Sequence, residues 1–353
     1  MNPAFDRIIA ADDQTRLGLF TTTALRFGTT PQNAEKDFWV CWTLDALFNG
    51  LPTAPRLLFK GGTSLSKGFG LISRFSEDID VTVFRDDIGE AASIADMAAL
   101  SGKKREATLD RIKAACTAHV GGPMLGELRK LATETTVRNG LGNGRLTISP
   151  NPDDAQSLLV NYPTATGADP YVVKAVKIES GAKSALDPNS VRTVRPYAET
   201  DAPGINLAVE NVTIVDAERT FWDKVIILHG LRRWYDHRQE LRGDGQRISR
   251  HYYDLHQLMA SETGRRALAD RALGDDCVAH AKMFFNRPAF DLDSAKPPTF
   301  TLVPERGMYE ALRRDYQAMS GMIFGAAPAF DAVIESVFAL EAALNGNPGQ
   351  GAS

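Results

Sequence analysis

"KGGTSLSKGFGLISRFSEDID", residues Lys60–Asp80, is the stretch that decides the fold. The short apolar run Arg56–Phe59 precedes it, and the segment Asp78–Phe84 alternates in polarity and is rich in β-branched residues. These patterns predict a strand, a glycine-rich turn that opens a helix near Thr63, and a second strand. The stretch therefore predicts a sheet in which a glycine turn lies close to the start of a strand that carries two aspartates.

Composition sets the broad class of the protein. The chain has 353 residues, of which 43% are apolar and 24% charged, and this length predicts about two domains. The net charge of −4 argues against a generally basic nucleic-acid binder, although a local basic surface stays possible. The N-terminal stretch is acidic where a signal peptide is basic, and no run approaches the roughly 18 apolar residues of a membrane helix. We expect a cytoplasmic protein without a membrane segment.

The cysteines predict neither a disulfide framework nor a metal site. Cys41, Cys116 and Cys277 are odd in number and form no CxxC pair. No spacing of His and Cys residues suggests zinc. We expect buried free thiols in a reducing compartment.

The order of patterns along the chain predicts an α+β fold followed by helices. Residues Glu35–Phe48 place their apolar side chains mostly on one helical face, and 86–137 also reads as helical. Strand patterns recur at 145–149, 157–162 and 171–180. The segment that begins "NLAVENVTIVD" is strand-like and leads into a long helix from Ala217, with Asp216 as its N-cap. We expect an α/β domain with a small mixed sheet over residues 1–205 and a helical domain over 206–345. The tail "GNPGQGAS", residues 346–353, is expected to be disordered.

The glycine turn does not match the common phosphate-binding motifs. A Walker A loop requires GxxxxGK[ST] after a strand. Here Ser66 stands where the second glycine belongs, and no GxGxxG is present. The alternative is that the paired glycines allow close approach to a ligand, while the first turn of the helix directs free N–H groups toward an anion.

Asp78 and Asp80 are candidate metal ligands. Residues two apart on a strand project from the same face, so Ile79, Val81 and Val83 are left to face the core. Two neighbouring carboxylates repel each other, and a hard divalent cation such as Mg²⁺ removes that cost. A solvated acidic pair on an edge strand, neutralised by Arg74 or Arg85, is the competing explanation for an isolated DxD, so the motif needs support from elsewhere.

Glu179 is the candidate for a third carboxylate. It lies at the end of a predicted strand, with Lys177 on the same face, and it would complete a two-metal site for nucleotidyl transfer. It would act there as a metal ligand or as a general base. A salt-bridged Lys177–Glu179 pair at the rim of the sheet is the competing explanation.

At these residues the sequence resembles the AbiEii/AbiGii nucleotidyltransferase toxins of the DNA polymerase β-like superfamily, which include the MenT toxins. The resemblance is carried by an ordered set of segments from about residue 30 to 345: "EKDFWVCWTL" (Glu35–Leu44), "FKGGTSLSKGFGLISRFSEDIDV" (Phe59–Val81), "VKIES" (Val176–Ser180), "ERTFWDKVIILH" (Glu218–His229), "SRHYYDLHQL" (Ser249–Leu258) and "LVPERGMYEALRRDYQAMSGMIFG" (Leu302–Gly325). The glycine motif departs from the superfamily, which usually has Gly-Ser where this chain has Gly-Gly-Thr.

The resemblance implies a polymerase-β-like nucleotidyltransferase domain and a set of site residues. Transfer of a nucleoside monophosphate from an NTP would depend on Mg²⁺ or Mn²⁺, with Asp78, Asp80 and Glu179 as metal ligands. The implied catalytic residues are these three and Lys224, and the implied nucleotide-binding residues are Lys60, Gly61, Gly62, Thr63, Ser64, Lys224, Arg250 and Asp254. Related toxins modify the 3′ end of tRNA and are commonly encoded beside an antitoxin, so we expect both partners.

Lys224 and the pair Arg250 and Asp254 also permit ordinary explanations. Lys224 lies on an apolar helix, where it is either solvated or a point charge that neutralises the β- and γ-phosphates. Arg250 and Asp254 are four residues apart, the spacing of a common helical ion pair. The motif match favours a site role for all three.

The segment Leu231–Tyr253 is the expected RNA-facing surface. It holds six arginines against three acids, with Trp234, Tyr235, Tyr252 and Tyr253 interleaved. Arginines neutralise phosphates and aromatic side chains stack on unpaired bases. A solvated helix–loop–helix with core aromatics is the alternative.

The sequence thus predicts a toxin-type nucleotidyltransferase acting on an RNA 3′ end. Nucleotidylation of a protein or small-molecule hydroxyl, or an inactive binding module, are the alternatives.

Overall fold

The computed structural model describes residues 1–76, 78–142, 144–167, 174–245 and 247–346, apart from the side chain of Asp244. The residues form two compact units. Unit 1 comprises Met1–Gly70, Phe75–Ala92 and Gly102–Val215. Unit 2 comprises Leu71–Arg74, Ser93–Ser101 and the chain from Asp216 onward. The boundary predicted between residues 205 and 206 stays a prediction, as does the disorder of the tail, whose residues 347–353 lie outside the described ranges.

Unit 1 is built on a mixed sheet. The strands in its described part are β1 (Leu57–Lys60), β2 (Asp78–Val83), β3 (Thr147–Asn151), β4 (Asp154–Asn161), β5 (Ala175–Gly181), β6 (Asn189–Val194) and β7 (Val209–Val215). They form one seven-stranded sheet in the order β3-β4-β5-β2-β1-β7-β6. β2 runs parallel to β5, and β1 runs parallel to β7 and antiparallel to β2. The expected α+β class with a mixed sheet is confirmed.

Six helices of unit 1 surround this sheet in the described ranges: α1 (Ala4–Ile9), α2 (Asp13–Phe27), α3 (Pro31–Asp45), α4 (Gly61–Lys67), α6 (Gly102–His119) and α7 (Leu125–Arg138). α3 packs against β2, β5 and β7, and it buries Phe38, Trp39 and Trp42. α6 packs against β4 and β5, and α7 against β3. α3 and α6 each continue into a π-helical turn, Ala46–Gly50 and Val120–Met124.

Unit 2 is helical where it is described. Its helices are α5 (Ile94–Ala99), α8 (Ala217–Arg238), α9 (Ser249–Ala260), α10 (Glu262–Ala269), α11 (Arg271–Phe284), α12 (Tyr309–Ser320) and α13 (Phe330–Leu344). α9 packs against α8, α10, α12 and α13, and so lies at the centre of the unit. α9 buries Tyr252, Tyr253, Leu255 and Leu258 on its apolar stripe.

The predicted strands and helices are present, with one omission. β6 was not predicted, because "NSVRTV" is mostly polar and exposed and lies at the edge of the sheet, paired to β7. Residues 171–173 of the predicted strand 171–180 lie outside the described ranges. Cys41, Cys116 and Cys277 are free and buried, as expected. None of the described helices is both long and apolar enough to span a bilayer.

Candidate active site

The glycine turn joins β1 directly to α4. Gly61, the first residue of α4, has a φ of +80°, which an L side chain rarely adopts. A Cβ atom at this position would lie 2.2 Å from Oδ2 of Asp80. Lys60 pairs with Asp80 in the β1–β2 register. Gly61 is therefore required both by its backbone conformation and by the carboxylate that lies against it.

Asp78 and Asp80 project from the same face of β2, as predicted. Both are half-buried, whereas Ile79, Val81 and Val83 on the other face are 0% exposed. The alternation arises because successive side chains of a strand point to opposite sides of the sheet. The apolar side anchors β2 in the core and leaves the two carboxylates at the accessible face.

β5 brings Glu179 beside this pair. In the parallel β2–β5 register, Asp80 is the partner of Glu179 and Asp78 is the partner of Lys177. Partnered residues of neighbouring strands project from the same face, so all four charged side chains share it. The three carboxylates predicted to bind metal are thus neighbours in the sheet, although 99 residues of sequence separate Asp80 from Glu179.

Glu179 is engaged by a lysine of its own strand. Lys177 Nζ lies 2.5 Å from Glu179 Oε1, and the two side chains are 30% and 38% exposed. Partial burial lowers the pKa of Lys177, but the hydrogen bond to Glu179 and the charges of Glu179 and Asp78 outweigh it and raise the pKa above its usual value. The Lys177 ammonium therefore stays protonated and pairs with Glu179, the carboxylate that was predicted to bind a metal.

The described residues contain no group of three or more His, Cys, Asp or Glu side chains arranged so that it could hold a metal ion. Register places Asp78, Asp80 and Glu179 next to each other, but their oxygens do not converge as a coordination shell. The donor type nevertheless suits the expected metal, because carboxylate oxygens are the ligands that Mg²⁺ prefers. Lys177 binds only Oε1 of Glu179, so a cation bound by all three carboxylates would take the other oxygen or displace Lys177.

The hydroxyl groups of the turn serve the protein itself. Thr63 and Ser64 are 1% and 0% exposed. Thr63 Oγ1 lies 2.5 Å from the main-chain oxygen of Asp78 and 2.7 Å from Ser76 Oγ, so its single proton goes to the carbonyl and it accepts from Ser76. Ser64 donates to the main-chain oxygen of Gly61. Thr63 thus fastens the start of α4 to the start of β2. The predicted role of both hydroxyls as phosphate ligands stays a prediction.

A buried ion pair between Lys67 and Asp37, which the sequence analysis missed, joins α4 to α3. Lys67 Nζ, in the last turn of α4, lies 2.8 Å from Asp37 Oδ1 of α3, and both side chains are 3% exposed. The ammonium also lies 3.5 Å from the centroid of the Tyr197 ring, and the main-chain N–H of Tyr197 donates to Asp37. Burial opposes the charge on Lys67, but Asp37 outweighs it and raises the pKa of the lysine. The signal available in the sequence was Asp37, an acidic residue directly before the apolar run "FWVCW" of the same helix.

Unit 2 holds a second charged cluster, which contains Lys224 and Asp254. Asp254 on α9 is 0% exposed, and Lys224 Nζ on α8 lies 2.8 Å from its Oδ2. Arg74 binds the same carboxylate with two hydrogen bonds, Nε to Oδ1 at 2.7 Å and Nη2 to Oδ2 at 2.8 Å. Burial alone would raise the pKa of Asp254, but the charges of Arg74 and Lys224 hold it well below its usual range.

The partners of Asp254 differ from those suggested by sequence spacing. Arg74 and Lys224 bind the oxygens of Asp254. The helical ion pair with Arg250 that the four-residue spacing suggested is not the interaction that holds this carboxylate. Burial lowers the pKa of Lys224; Asp254 opposes this shift, and the charges of Arg74 and Arg250 add to it. Burial and the neighbouring cations also hold the pKa of His251 well below its usual value, so this imidazole is neutral. The nucleotide-binding roles of Lys224, Arg250 and Asp254 stay predictions.

The arginine-rich segment 231–253 is only partly available to a ligand. Tyr252 and Tyr253 are 0% and 1% exposed and belong to the core, so the expectation that they stack on bases is wrong. Their positions on the apolar stripe of α9 explain the burial. Arg232 pairs with Asp236 and Glu305, and Arg233 lies 3.6 Å from Asp291.

Two exposed arginines of this segment lie near aromatic rings of unit 2. The guanidinium of Arg238 lies 5.5 Å from the Trp234 ring, and that of Arg242 lies 5.4 Å from the Phe290 ring. Trp234 and Phe290 pack on each other with ring centroids 6.0 Å apart. Trp234 of the segment and Phe290 outside it therefore form an aromatic pair that is flanked by two exposed arginines.

The candidate site residues lie within the part of the chain that matches a known protein family. The model of the nucleotidyl transferase AbiEii toxin family, type IV toxin–antitoxin system, matches residues 42–336. No curated protein matches the chain. Among solved structures, the chain is similar to MenT4, a nucleotidyltransferase toxin from Mycobacterium tuberculosis H37Rv, with 16% identity, a TM-score of 0.44, and coverage of 94% of this chain and 99% of that chain. The matched range of the family model includes every candidate site residue named above.

Proposed function

Because this chain belongs to the AbiEii family of nucleotidyltransferase toxins of type IV toxin–antitoxin systems, we propose that it transfers a nucleoside monophosphate from an NTP to the 3′ end of an RNA, with tRNA as the first candidate. The acceptor hydroxyl attacks the α-phosphorus, the bond to the bridging oxygen breaks, and pyrophosphate leaves. The enzyme class follows from the family. The RNA acceptor and the choice of Mg²⁺ are the parts that we propose.

The observation that carries the proposal is the register of β2 against β5. It places Asp80 opposite Glu179, while Gly61 leaves the space that the Asp80 carboxylate occupies. Asp78, Asp80 and Glu179 would hold the divalent cation, which when bound would neutralise charge on the triphosphate. Their oxygens are of the right chemical type, and Glu179 would act as ligand or as general base through the oxygen that Lys177 does not bind, or once Lys177 releases it.

The main chain of the glycine turn is the part of unit 1 suited to phosphate. The side chains of Thr63 and Ser64 are buried and already hydrogen-bonded, so the main-chain groups of Gly61 and Gly62 are the better candidates for close approach. Lys60, half-buried and opposite Asp80, would add positive charge there. In unit 2, we assign the role of phosphate ligand to Arg250 and Lys224, with Asp254 as the group that holds Lys224 in place. Lys224 is itself buried and paired with Asp254, so its ammonium would have to become accessible to reach a phosphate.

The proposed contact for RNA consists of the exposed Arg238 and Arg242 and the half-buried Trp234 and Phe290. Arginine recognises phosphate without regard to base, and an aromatic ring accepts any unpaired base. We further propose an antitoxin partner, which family membership implies, and action in the cytoplasm, where NTPs and tRNA are both abundant.

The test is a labelling experiment with purified protein, Mg²⁺, total tRNA, total protein extract and each α-³²P-labelled NTP in turn. Asp80→Asn is the first control, because it keeps the size of the side chain and removes its charge. Label on tRNA that appears with the wild type and Mg²⁺ but is absent with Asp80→Asn supports the proposal. The NTP that gives this label is the donor.

Other outcomes would replace the proposal. Label on protein or on a small molecule would move the acceptor to that class. Release of no pyrophosphate from any of the NTPs, with Mg²⁺ or Mn²⁺, would favour a binding module without transferase activity. An Asp80→Asn variant that is as active as the wild type would remove the metal assignment altogether.

A further inference from the structure

The side chain of Arg74 is fixed by an interaction that no sequence motif assigned to it. Its guanidinium binds both oxygens of Asp254, at 2.7 and 2.8 Å, and the two side chains are 5% and 0% exposed. Two parallel N–H···O bonds define the plane of a carboxylate, which a single lysine cannot do. The Lys224 ammonium then binds Oδ2, the oxygen that Arg74 Nη2 also binds.

Two cations, Arg74 and Lys224, share the Asp254 carboxylate. The charges of Arg74 and Arg250 both lower the pKa of Lys224, and the neighbouring His251 is neutral. With Arg74 present, the Arg74–Asp254–Lys224 trio carries one net positive charge. Without Arg74, Asp254 and Lys224 would form a neutral pair, and the ammonium would be more tightly held by its carboxylate.

We propose that Arg74 is a positioning residue: by binding both oxygens of Asp254, it fixes that carboxylate and shares its negative charge with Lys224, so that Asp254 neutralises the Lys224 ammonium less and leaves it better able to bind a phosphate group. This inference rests on the proposed function, because it assigns Lys224 to a nucleotide phosphate. The position of the Arg74 side chain is a property of unit 2 and can be tested without turnover.

The main chain around Arg74 is held independently of its side chain. Arg74 forms an isolated β-bridge with Ile323, and the N–H of Phe324 donates to the main-chain oxygen of Ser73 at 2.8 Å. A change of the side chain therefore removes the guanidinium and leaves the segment attached. This makes Arg74→Gln and Arg74→Lys usable variants of the full-length protein.

The first measurement is an NMR titration of lysine labelled with ¹³C at Cε, with the Lys224 signal assigned by its loss in Lys224→Arg, because the buried ammonium is closed to a chemical reagent. Loss of the Arg74 cation removes a charge that disfavours protonation of Lys224. We expect the apparent pKa of Lys224 to rise by about one pH unit or more in Arg74→Gln and to stay near the wild-type value in Arg74→Lys, which keeps the charge. A purely structural role would not move this pKa in that direction.

The second measurement is kinetic. Arg74→Gln is expected to raise the KM for NTP by about tenfold or more, with a smaller loss in kcat, because binding of the phosphate is weakened. Arg74→Lys should recover part of the KM. Arg85→Gln is the matched control: Arg85 is also buried, but it donates to the main-chain oxygens of Ala92 and Ser184, and its loss should leave the pKa of Lys224 unchanged.

The two measurements separate failure of this inference from failure of the proposed function. If no NTP is used at all, the NMR titration of Lys224 still reports whether Arg74 changes its pKa. An unchanged or lowered apparent pKa of Lys224 in folded Arg74→Gln would overturn the inference, as would a raised pKa of equal size in Arg85→Gln. Folding of each variant is checked by far-UV circular dichroism and its melting temperature.

Discussion

Asp80 and Glu179 are partnered residues on the parallel strands β2 and β5, and the Lys177 ammonium lies 2.5 Å from the Glu179 carboxylate. An ammonium and a divalent cation are alternative partners for the same oxygens. We expect Lys177→Gln to lower the Mg²⁺ concentration needed for half-maximal activity, because a competitor for Glu179 is removed. Lys113→Gln, which removes an exposed charge from α6, is the control. A higher Mg²⁺ requirement in Lys177→Gln would show instead that Lys177 assists the site.

Gly61 gives the most direct test of the turn. Gly61→Ala places a Cβ where Oδ2 of Asp80 lies and forces an alanine into a φ of +80°. We expect activity to fall by more than about 100-fold and stability by about 1–3 kcal/mol. The measurements are NMP transfer and urea unfolding. Gly126→Ala, at an exposed helical position where the added Cβ meets nothing outside its own stretch of helix, should leave activity unchanged and raise stability by up to about 1 kcal/mol, so it lacks the losses expected for Gly61→Ala.

The buried pair beneath α4 should be costly to break from one side. Lys67→Met leaves Asp37 without its cation, and we expect a loss of about 3–5 kcal/mol in the free energy of unfolding. The double variant Lys67→Met/Asp37→Asn should recover a large part of this loss, because the amide oxygen still accepts from the N–H of Tyr197. If the double variant is as unstable as the single one, packing of the Lys67 stem, not its charge, explains the effect.

Stability should fall in strong alkali through Tyr197. Burial raises the pKa of Tyr197 from 10.0 to about 12. Between these values the unfolded chain loses the phenolic proton while the folded protein keeps it, so the stability contribution is complete below pH 10 and declines as the pH rises toward 12. We expect up to about 2 kcal/mol to be lost over this window. In Tyr197→Phe the slope of unfolding free energy against pH should be shallower over the same range.

Salt dependence should reveal the RNA contact. Replacing Arg238 and Arg242 with Gln should weaken tRNA binding and reduce the slope of log K against log salt by about 2, close to one for each phosphate that is no longer neutralised. Arg232→Gln serves as control, because Arg232 is already paired with Asp236 and Glu305. Equal salt slopes in all three proteins would mean that the RNA is bound by a different surface.

Local patterns predicted the elements that have strong periodicity. The alternation of Asp78–Phe84 was sufficient to predict β2 and its two faces, and the apolar spacing of Glu35–Phe48 was sufficient to predict α3. β6 lacked such a signal, because an exposed edge strand has few apolar residues. Within the site, the positions of Asp78, Asp80 and Glu179 on one face follow from period and strand order.

The missed partners are those that are distant in sequence. Arg74 and Asp254 are 180 positions apart, and the sequence pointed instead to Arg250, four residues from Asp254. Asp37 and Tyr197 are 160 positions apart. A single sequence shows which residues bear charge but not which distant groups neutralise them. Tyr252 and Tyr253 illustrate the same limit, since a tyrosine has the same composition signal in a core and on a binding surface.

The four residues Leu71–Arg74 belong to unit 2, although they lie between α4 and β2 of unit 1. No single cut of the chain can therefore yield a complete helical fragment. A fragment that begins at Asp216 would contain Asp254 and Lys224 but would lack the guanidinium that binds both carboxylate oxygens. Loss-of-function experiments based on truncation would then report damage to this cluster in addition to the loss of the sheet. Point variants of the full-length chain are the sound basis for assigning roles to either unit.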